Sequence, residues 1–243
     1  MILEGQILDD EPLQIGSLLF EGLDQIDLTG PFEVFARVPN ATRRLYGLNA
    51  SPVRDVGGLR LTPDAVLGDA PQLDVLHIPG GPGQESLMRD EAVLDWVRRQ
   101  AAGAKILFSV CTGALICGAA GLLRGRKATT YWTVQHLLPL FGATPVDARV
   151  VVDGDLVCAA GVTSGIDGAL QVAAMLRGRQ TAETIQLAMQ YAPEPPFDAG
   201  SPDRAPKAAV ETVRNATANL TARREETARA VAKRLGIKVA GAD

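Results

Sequence analysis

The chain has 243 residues, 47% of them apolar, 21% charged and 5% aromatic, with a net charge of −4. That is enough apolar chain for one α/β domain or at most two small ones, and too much for wholesale disorder; a mean hydropathy of +0.09 also argues against a polytopic membrane protein. The 28 acidic residues outnumber the 24 basic ones, which argues against nucleic acid as the main partner, because phosphate binding needs a basic footprint.

Residues 13–20, LQIGSLLF, read as a buried strand. Residues 27–38, DLTGPFEVFARV, then read as a helix, with Phe32, Phe35 and Val38 at helical spacing. Residues 43–48 and 52–56 are short strand candidates, and 59–62 completes a hairpin across Gly57-Gly58. LDVLHIPGG (73–81) predicts a buried strand ending in a tight turn at Pro79-Gly80-Gly81. Residues 85–102 read as one amphipathic helix, with Leu87, Val93, Leu94 and Val97 on its apolar side. KILFSV (105–110) is the next buried strand, and a helix of small residues follows at once. The run 106–123 has 18 residues without a charge, the shortest length that suits a membrane span. Gly113, Gly118 and Gly121 and a β-prone start favour a strand and a tightly packed helix instead. Residues 128–143 begin as strand or loop and become helical. Residues 148–161 predict a hairpin turning at Asp153-Gly154-Asp155, and 164–178 a helix. The segment 192–206, with five prolines, reads as an arm or linker. Residues 207–236 predict a last helix, weakly striped by Val210, Val213, Leu220, Val231 and Leu235. Its apolar face is too narrow for a core of its own, so it is expected to pack on the main domain or on a second subunit. Alternating buried strands and amphipathic helices imply a mostly parallel sheet covered on both faces.

Three cysteines, Cys111, Cys117 and Cys158, and two histidines, His77 and His136, form neither a disulfide framework nor a zinc-site spacing. No basic and apolar leader opens the chain, so a reducing cytoplasm is the expected compartment. The segment SVCTGA (109–114) places Cys111 in a strand-to-helix turn, a thiol version of the nucleophile elbow. Unpaired N–H groups at the helix start favour thiolate over thiol, and could also hold a developing anion. The alternative is a buried, inert cysteine, which is the expectation for Cys117 and Cys158. Asp27 follows the first strand, on the side where the C-terminal ends of parallel strands gather. Beside a thiolate and away from water its pKa rises, so that it can donate a proton; the alternative is a helix cap, for which Asp24 competes. Gly80 and Gly81 let backbone approach a ligand and point N–H groups into a site, or simply make a turn. Thr112 is a hydroxyl donor near the sulfur, or a helix cap. Tyr131 and Trp132 are pocket or core residues. Neither histidine is brought to Cys111 by local sequence, which weakens a peptidase-type reading.

DLTGPFEVF (27–35), LDVLHIPGG (73–81), SVCTGALICGAAGLL (109–123), ATTYW (128–132) and GVTSGIDGAL (161–170) together resemble the ThiJ/PfpI superfamily, cysteine-elbow relatives of class I glutamine amidotransferases. The likeness covers about residues 13–200, and YAPEPPFDAGSPDRAP (191–206) is similar to its isonitrile (isocyanide) hydratase subgroup. The resemblance implies a flavodoxin-like sandwich with its nucleophile elbow at Cys111, a homodimer, and hydration of an isonitrile to an N-substituted formamide without metal or organic cofactor. It implies Cys111 as nucleophile, Asp27 as acid/base carboxylate and Thr112 as a nearby hydrogen-bond donor. In the expected mechanism the Cys111 thiolate attacks the terminal carbon while Asp27 supplies a proton; water activated by Asp27 then resolves a thioimidate. One departure is Tyr131, where many relatives carry histidine.

The expected organisation is an N-terminal extension (1–12), a catalytic domain (13–200) and a C-terminal arm with its helix (201–243). Two other functions compete. Related domains open AraC-type transcription regulators, but about forty residues follow Ser201 and one mildly basic helix offers no recognition pair. A ligand-binding protein, thiol stress sensor or glyoxal-directed enzyme would use the same Cys111.

Overall fold

A computed structural model describes residues 11–238. Most of the expected extension 1–12 therefore lies outside the described residues. In chain order the elements are β1 (Leu13–Leu19), α1 (Gln25–Phe35), β2 (Ala41–Gly47), β3 (Val53–Arg54), β4 (Arg60–Leu61), β5 (Ala65–Val66) and β6 (Val75–Ile78). There follow α2 (Gln84–Leu87), α3 (Glu91–Gly103), β7 (Ile106–Val110), α4 (Gly113–Ala119) and β8 (Lys127–Ala128). A 3-10 segment (Trp132–Phe141), β9 (Thr144–Pro145), β10 (Val150–Asp153), β11 (Leu156–Ala159), α5 (Ser164–Arg177), α6 (Arg179–Ala188) and α7 (Lys207–Arg234) complete the chain.

Seven strands form one sheet in the order β10-β11-β7-β6-β1-β2-β5. All neighbours are parallel except β10 and β11, the hairpin at Asp153-Gly154-Asp155. The central strands β6 and β7 are buried along their whole length, which is why their sequences are unbroken apolar runs rather than alternating ones. α1, α5 and α6 cover one face, burying Val34, Phe35, Val172, Leu176 and Ile185. α3, α4, the 3-10 segment and α7 cover the other, around Leu94, Trp96, Leu115, Leu138 and Phe141. The flavodoxin-like α/β sandwich is therefore present. The uncharged run 106–123 is β7, a turn and the seven-residue α4, and no described helix is long and apolar enough to cross a membrane.

Two expectations change in detail. The single helix expected over 85–102 is broken at Met88–Asp90, because Asp90 accepts from the N–H groups of Ala92 and Val93 and starts a new helix. After Gly178 the chain turns straight into α6, whose narrow apolar side, Ala182 and Ile185, gives little periodic signal.

α7 packs on this same chain. Ala228, Val231 and Ala232 are buried, Arg89 bonds Thr227, and Arg234 pairs with Glu91 and donates to the Ala119 carbonyl. Arg234, a basic residue of this helix, is thus spent within the protein rather than left for phosphate.

α4 fits under β6 only because its first residue is glycine. A Cβ at Gly113 would lie 2.1 Å from the Ile78 carbonyl oxygen and 2.9 Å from that of Pro79. Both are backbone atoms at the end of a central strand and cannot swing away. Gly113→Ala is expected to cost about 2–3 kcal/mol, lowering the thermal midpoint by about 4–10 °C. Circular dichroism melts check this; an unchanged midpoint would mean that the strand end is soft.

Candidate active site

Cys111 stands between β7 and α4 with φ of +54°, in the left-handed region that side chains rarely adopt. Such a backbone costs on the order of 1–3 kcal/mol and persists only where neighbours fix it. Here the Cys111 N–H donates to the Ala159 carbonyl (2.9 Å), and the Thr130 hydroxyl donates to the Cys111 carbonyl (2.7 Å). The turn therefore ties β7, β11 and the segment after β8 together at the C-terminal edge of the sheet.

Asp27 comes from the first turn of α1 and is fully buried. It does not cap the helix; Asp24 does, accepting from the Ile26 N–H. The Asp27 Oδ2 accepts from the Gly80 N–H at 3.0 Å. Its Oδ1 accepts no hydrogen bond of ordinary geometry, although the Cys111 side chain lies near enough to act on the carboxyl. Burial lifts the Asp27 pKa from 3.8 to about 8, and the Asp24 carboxylate adds to the rise. The Cys111 side chain and the Gly80 N–H oppose it. Asp27 is thus an acid at neutral pH, as expected, but the like charge responsible is Asp24 rather than a thiolate.

The thiol departs from expectation. Burial, then the Asp27 charge, pushes Cys111 well above the ordinary thiol range, and the residue is only 6% exposed. The Thr112 N–H and Arg224 pull it down without winning. The helix start does supply its N–H, but α4 is short, and desolvation outweighs one hydrogen bond. Burial thus favours the neutral thiol over an exposed thiolate, beside a carboxyl held protonated by the same desolvation.

The two glycines also differ from their expected use. Their N–H groups face side chains of the site rather than open space: Gly80 donates to Asp27, and Gly81 to Thr112 Oγ1 at 3.0 Å. A Cβ on Gly80 would fall 2.5 Å from Thr112 N and 2.9 Å from Asp27 Oδ2, so glycine lets these two approach. The Thr112 hydroxyl neither caps α4 nor bonds the sulfur; it faces Gly81 and Arg224, and only its backbone N–H serves Cys111.

Tyr131 is half-buried, packs against the cores on both faces of the sheet, and feels the charges of Cys111, Asp24 and Arg224. Its neighbour Trp132 lines an open groove between the 3-10 segment and α7, under Arg214, whose guanidinium carbon is 5.5 Å from the ring centre. Neither Cys111 nor Asp27 lines that groove. Trp132 is therefore beside Tyr131 rather than against the nucleophile. His77 is buried between Phe35 and Phe108, bonded to Ser17 and driven down to about 3 by burial; His136 is exposed in the groove. No imidazole stands ready to activate the sulfur. Cys117 and Cys158 are completely buried, the first pushed well above its ordinary range and the second up to about 11, both by burial. Among the described residues no cluster has the makings of a metal site.

One residue of the site was not anticipated. Arg224 of α7 is 3% exposed and reaches the turn from outside, donating to the Gly81 carbonyl (2.9 Å), to Thr112 Oγ1 (3.4 Å) and to Gln84 Oε1 (3.0 Å).

The chain is 50% identical over 222 residues to the isonitrile hydratase of Pseudomonas putida, which is 91% of this chain and 97% of that protein. A crystal structure of a ThiJ/PfpI family protein from Pseudomonas syringae superposes with a TM-score of 0.87 at 38% identity, covering 90% of this chain and 91% of that one. The HTH-type transcriptional regulator GbdR of Pseudomonas aeruginosa is 29% identical over 190 residues, 74% of this chain but 51% of the regulator. Residues 14–175 match the DJ-1/PfpI family along most of the sheet and through both Asp27 and Cys111. By that match and by the superposition, the chain belongs to the DJ-1/PfpI family.

Proposed function

We propose that this protein is an isonitrile hydratase, adding water to R–N≡C to give an N-substituted formamide, with Cys111 as nucleophile and Asp27 as proton carrier. The observation that carries the proposal is the pairing itself: a buried carboxyl with pKa near 8 next to a thiol on a strained elbow, with no imidazole at hand. An isonitrile carbon needs a proton and a soft nucleophile together, and this pair holds one of each at pH 7. The likeness to the Pseudomonas putida hydratase supports the same substrate class.

The neutral pair sets the proton order. Asp27 gives its proton to the terminal carbon as the Cys111 sulfur bonds to that carbon, and the thiol proton passes to the Asp27 carboxylate. The product is a thioimidate, with C≡N reduced in bond order to C=N. Asp27 next protonates the imine nitrogen, and its carboxylate takes a proton from the water that attacks the carbon. The tetrahedral carbon then carries H, OH, NHR and sulfur. Breaking C–S forms the carbonyl, and the hydroxyl proton returns to sulfur through Asp27. One isonitrile and one water are consumed, and one formamide leaves. Thr112 contributes through its N–H to the sulfur, Gly80 and Gly81 through their hold on Asp27 and Thr112, and Tyr131 as a wall of the substrate space, with Trp132 set back behind it in the neighbouring groove. A homodimer, a cytoplasmic setting and a catalytic domain over 13–200 belong to the same proposal.

The test is a product assay on purified protein with an aryl isonitrile and, separately, methylglyoxal. The expected result is stoichiometric N-aryl formamide. Faster methylglyoxal turnover with no formamide would overturn the proposal in favour of a glyoxal-directed enzyme.

A further inference from the structure

We propose that Arg224 is a positioning residue for the nucleophile: from α7 its guanidinium locks the Gly81 carbonyl and the Thr112 hydroxyl, which flank the Cys111 turn, and supplies that turn with a buried positive charge. The lock is a closed cycle. Gly81 donates to Thr112, Thr112 faces the Gly81 carbonyl, and Arg224 donates to both. Gln84 fixes the third side of the guanidinium. The inference rests on the reading of Cys111 as the nucleophile.

The charge is the unusual part. Among the described residues Arg224 makes no ion pair, and all its bonds go to neutral acceptors. Burying a guanidinium without a carboxylate costs several kcal/mol unless some other negative charge balances it. Glu85, the acidic residue whose charge it feels most, is taken by Thr227 and Arg89. The negative charge that arises beside it is the sulfur, when the thiol gives up its proton and again when C–S breaks. Burial and the Asp27 carboxyl both oppose that charge, while Arg224 favours it, as does the Thr112 N–H. Tyr131 is the remaining titratable group that faces the sulfur.

A purely structural role explains less. α7 is already anchored by Thr227 and Ala228 one turn on, by Val231 and Ala232 two turns on, and by the Arg234 contacts near its C-terminal end. A leucine or methionine at 224 would fill that face without desolvating a charge. Arg224 also lies outside the residues that match the family, 14–175, so it is supplied by this chain's own C-terminal arm.

Alkylation of Cys111 by iodoacetamide across pH reads the thiolate directly, because only the thiolate reacts. Mass spectrometry locates the adduct, and Cys111→Ala gives the background from Cys117 and Cys158. In Arg224→Gln and in Arg224→Met the alkylation midpoint is expected to rise by about one unit or more, cutting the rate at pH 8 about tenfold. Either variant suffices if the other unfolds. Arg224→Lys keeps the charge without the fork and is expected to restore the midpoint to within a few tenths of a unit. With an isonitrile, the neutral variants lower kcat with KM little changed. An alkylation midpoint at the wild-type value in a folded neutral variant overturns the proposal. A shifted midpoint in a protein that hydrates no isonitrile leaves it standing and rejects the substrate reading instead.

Discussion

Replacing Cys111 with alanine or serine is expected to abolish isonitrile hydration, by at least about three orders of magnitude in kcat. Serine is the sharper test, since it keeps the size and the hydrogen bonding of the turn. Its hydroxyl is a far weaker acid than the thiol and a harder nucleophile, and neither suits an isonitrile carbon. The strained φ of +54° remains in both variants, so stability changes little and the loss is chemical. Wild-type protein mixed briefly with substrate and quenched in acid is expected to carry the thioimidate on Cys111 alone. Cys117 and Cys158 have no exposure and thiols pushed up by burial, so they do not compete. An adduct confined to either of them, or full turnover in the serine variant, contradicts the assignment.

The parts of this site that were legible in the sequence are those fixed by local backbone chemistry. A buried β run ending in Val110, followed at once by small helix-compatible residues, can only turn sharply at Cys111, and the turn is there. Asp27 was legible from its place after the first strand, and the parallel register of β1 with β6 then carries it to Gly80. What was not legible depends on distance in the chain. The protonation of the sulfur follows from how completely three layers close over it, which no local pattern records. Whether the N–H groups of Gly80 and Gly81 face a ligand or only make a turn is open in the sequence, which does not show that Asp27 and Thr112 arrive at them first. Arg224 did leave a trace. It lies on the same helical stripe as Leu220, Ala228, Val231 and Leu235, where an arginine contradicts an apolar face. A charge in a core register is a demand for a polar partner, and here that partner lies 143 residues away at Gly81.

Asp27→Asn is expected to raise stability at alkaline pH while removing activity. The folded carboxyl keeps its proton up to about pH 8, whereas in the unfolded chain it releases it near 3.8. Between those values the native state binds more protons than the unfolded state, so this group's contribution to stability is complete below pH 4 and declines as pH rises through 8. Asparagine has no proton to lose, and its side-chain oxygen can still accept from the Gly80 N–H. The variant is therefore expected to match wild type near pH 4 and to exceed it at pH 9 by on the order of a few kcal/mol, as urea unfolding at the two pH values measures. Activity runs the other way. The acid that protonates the substrate is gone, and kcat is expected to fall by about 10²–10⁴-fold at pH 7. In the wild type kcat/KM is expected to fall with rising pH around 8, as Asp27 ionises in the free enzyme. A stability gap that does not widen with pH, together with a flat alkaline limb, would falsify the buried acid. A gap that widens while activity survives would separate the two roles and place the proton donor elsewhere in the site. Wild-type burial of this carboxyl is thus a cost to the fold that the chemistry requires, because only a desolvated Asp27 still carries its proton where the thiol needs it.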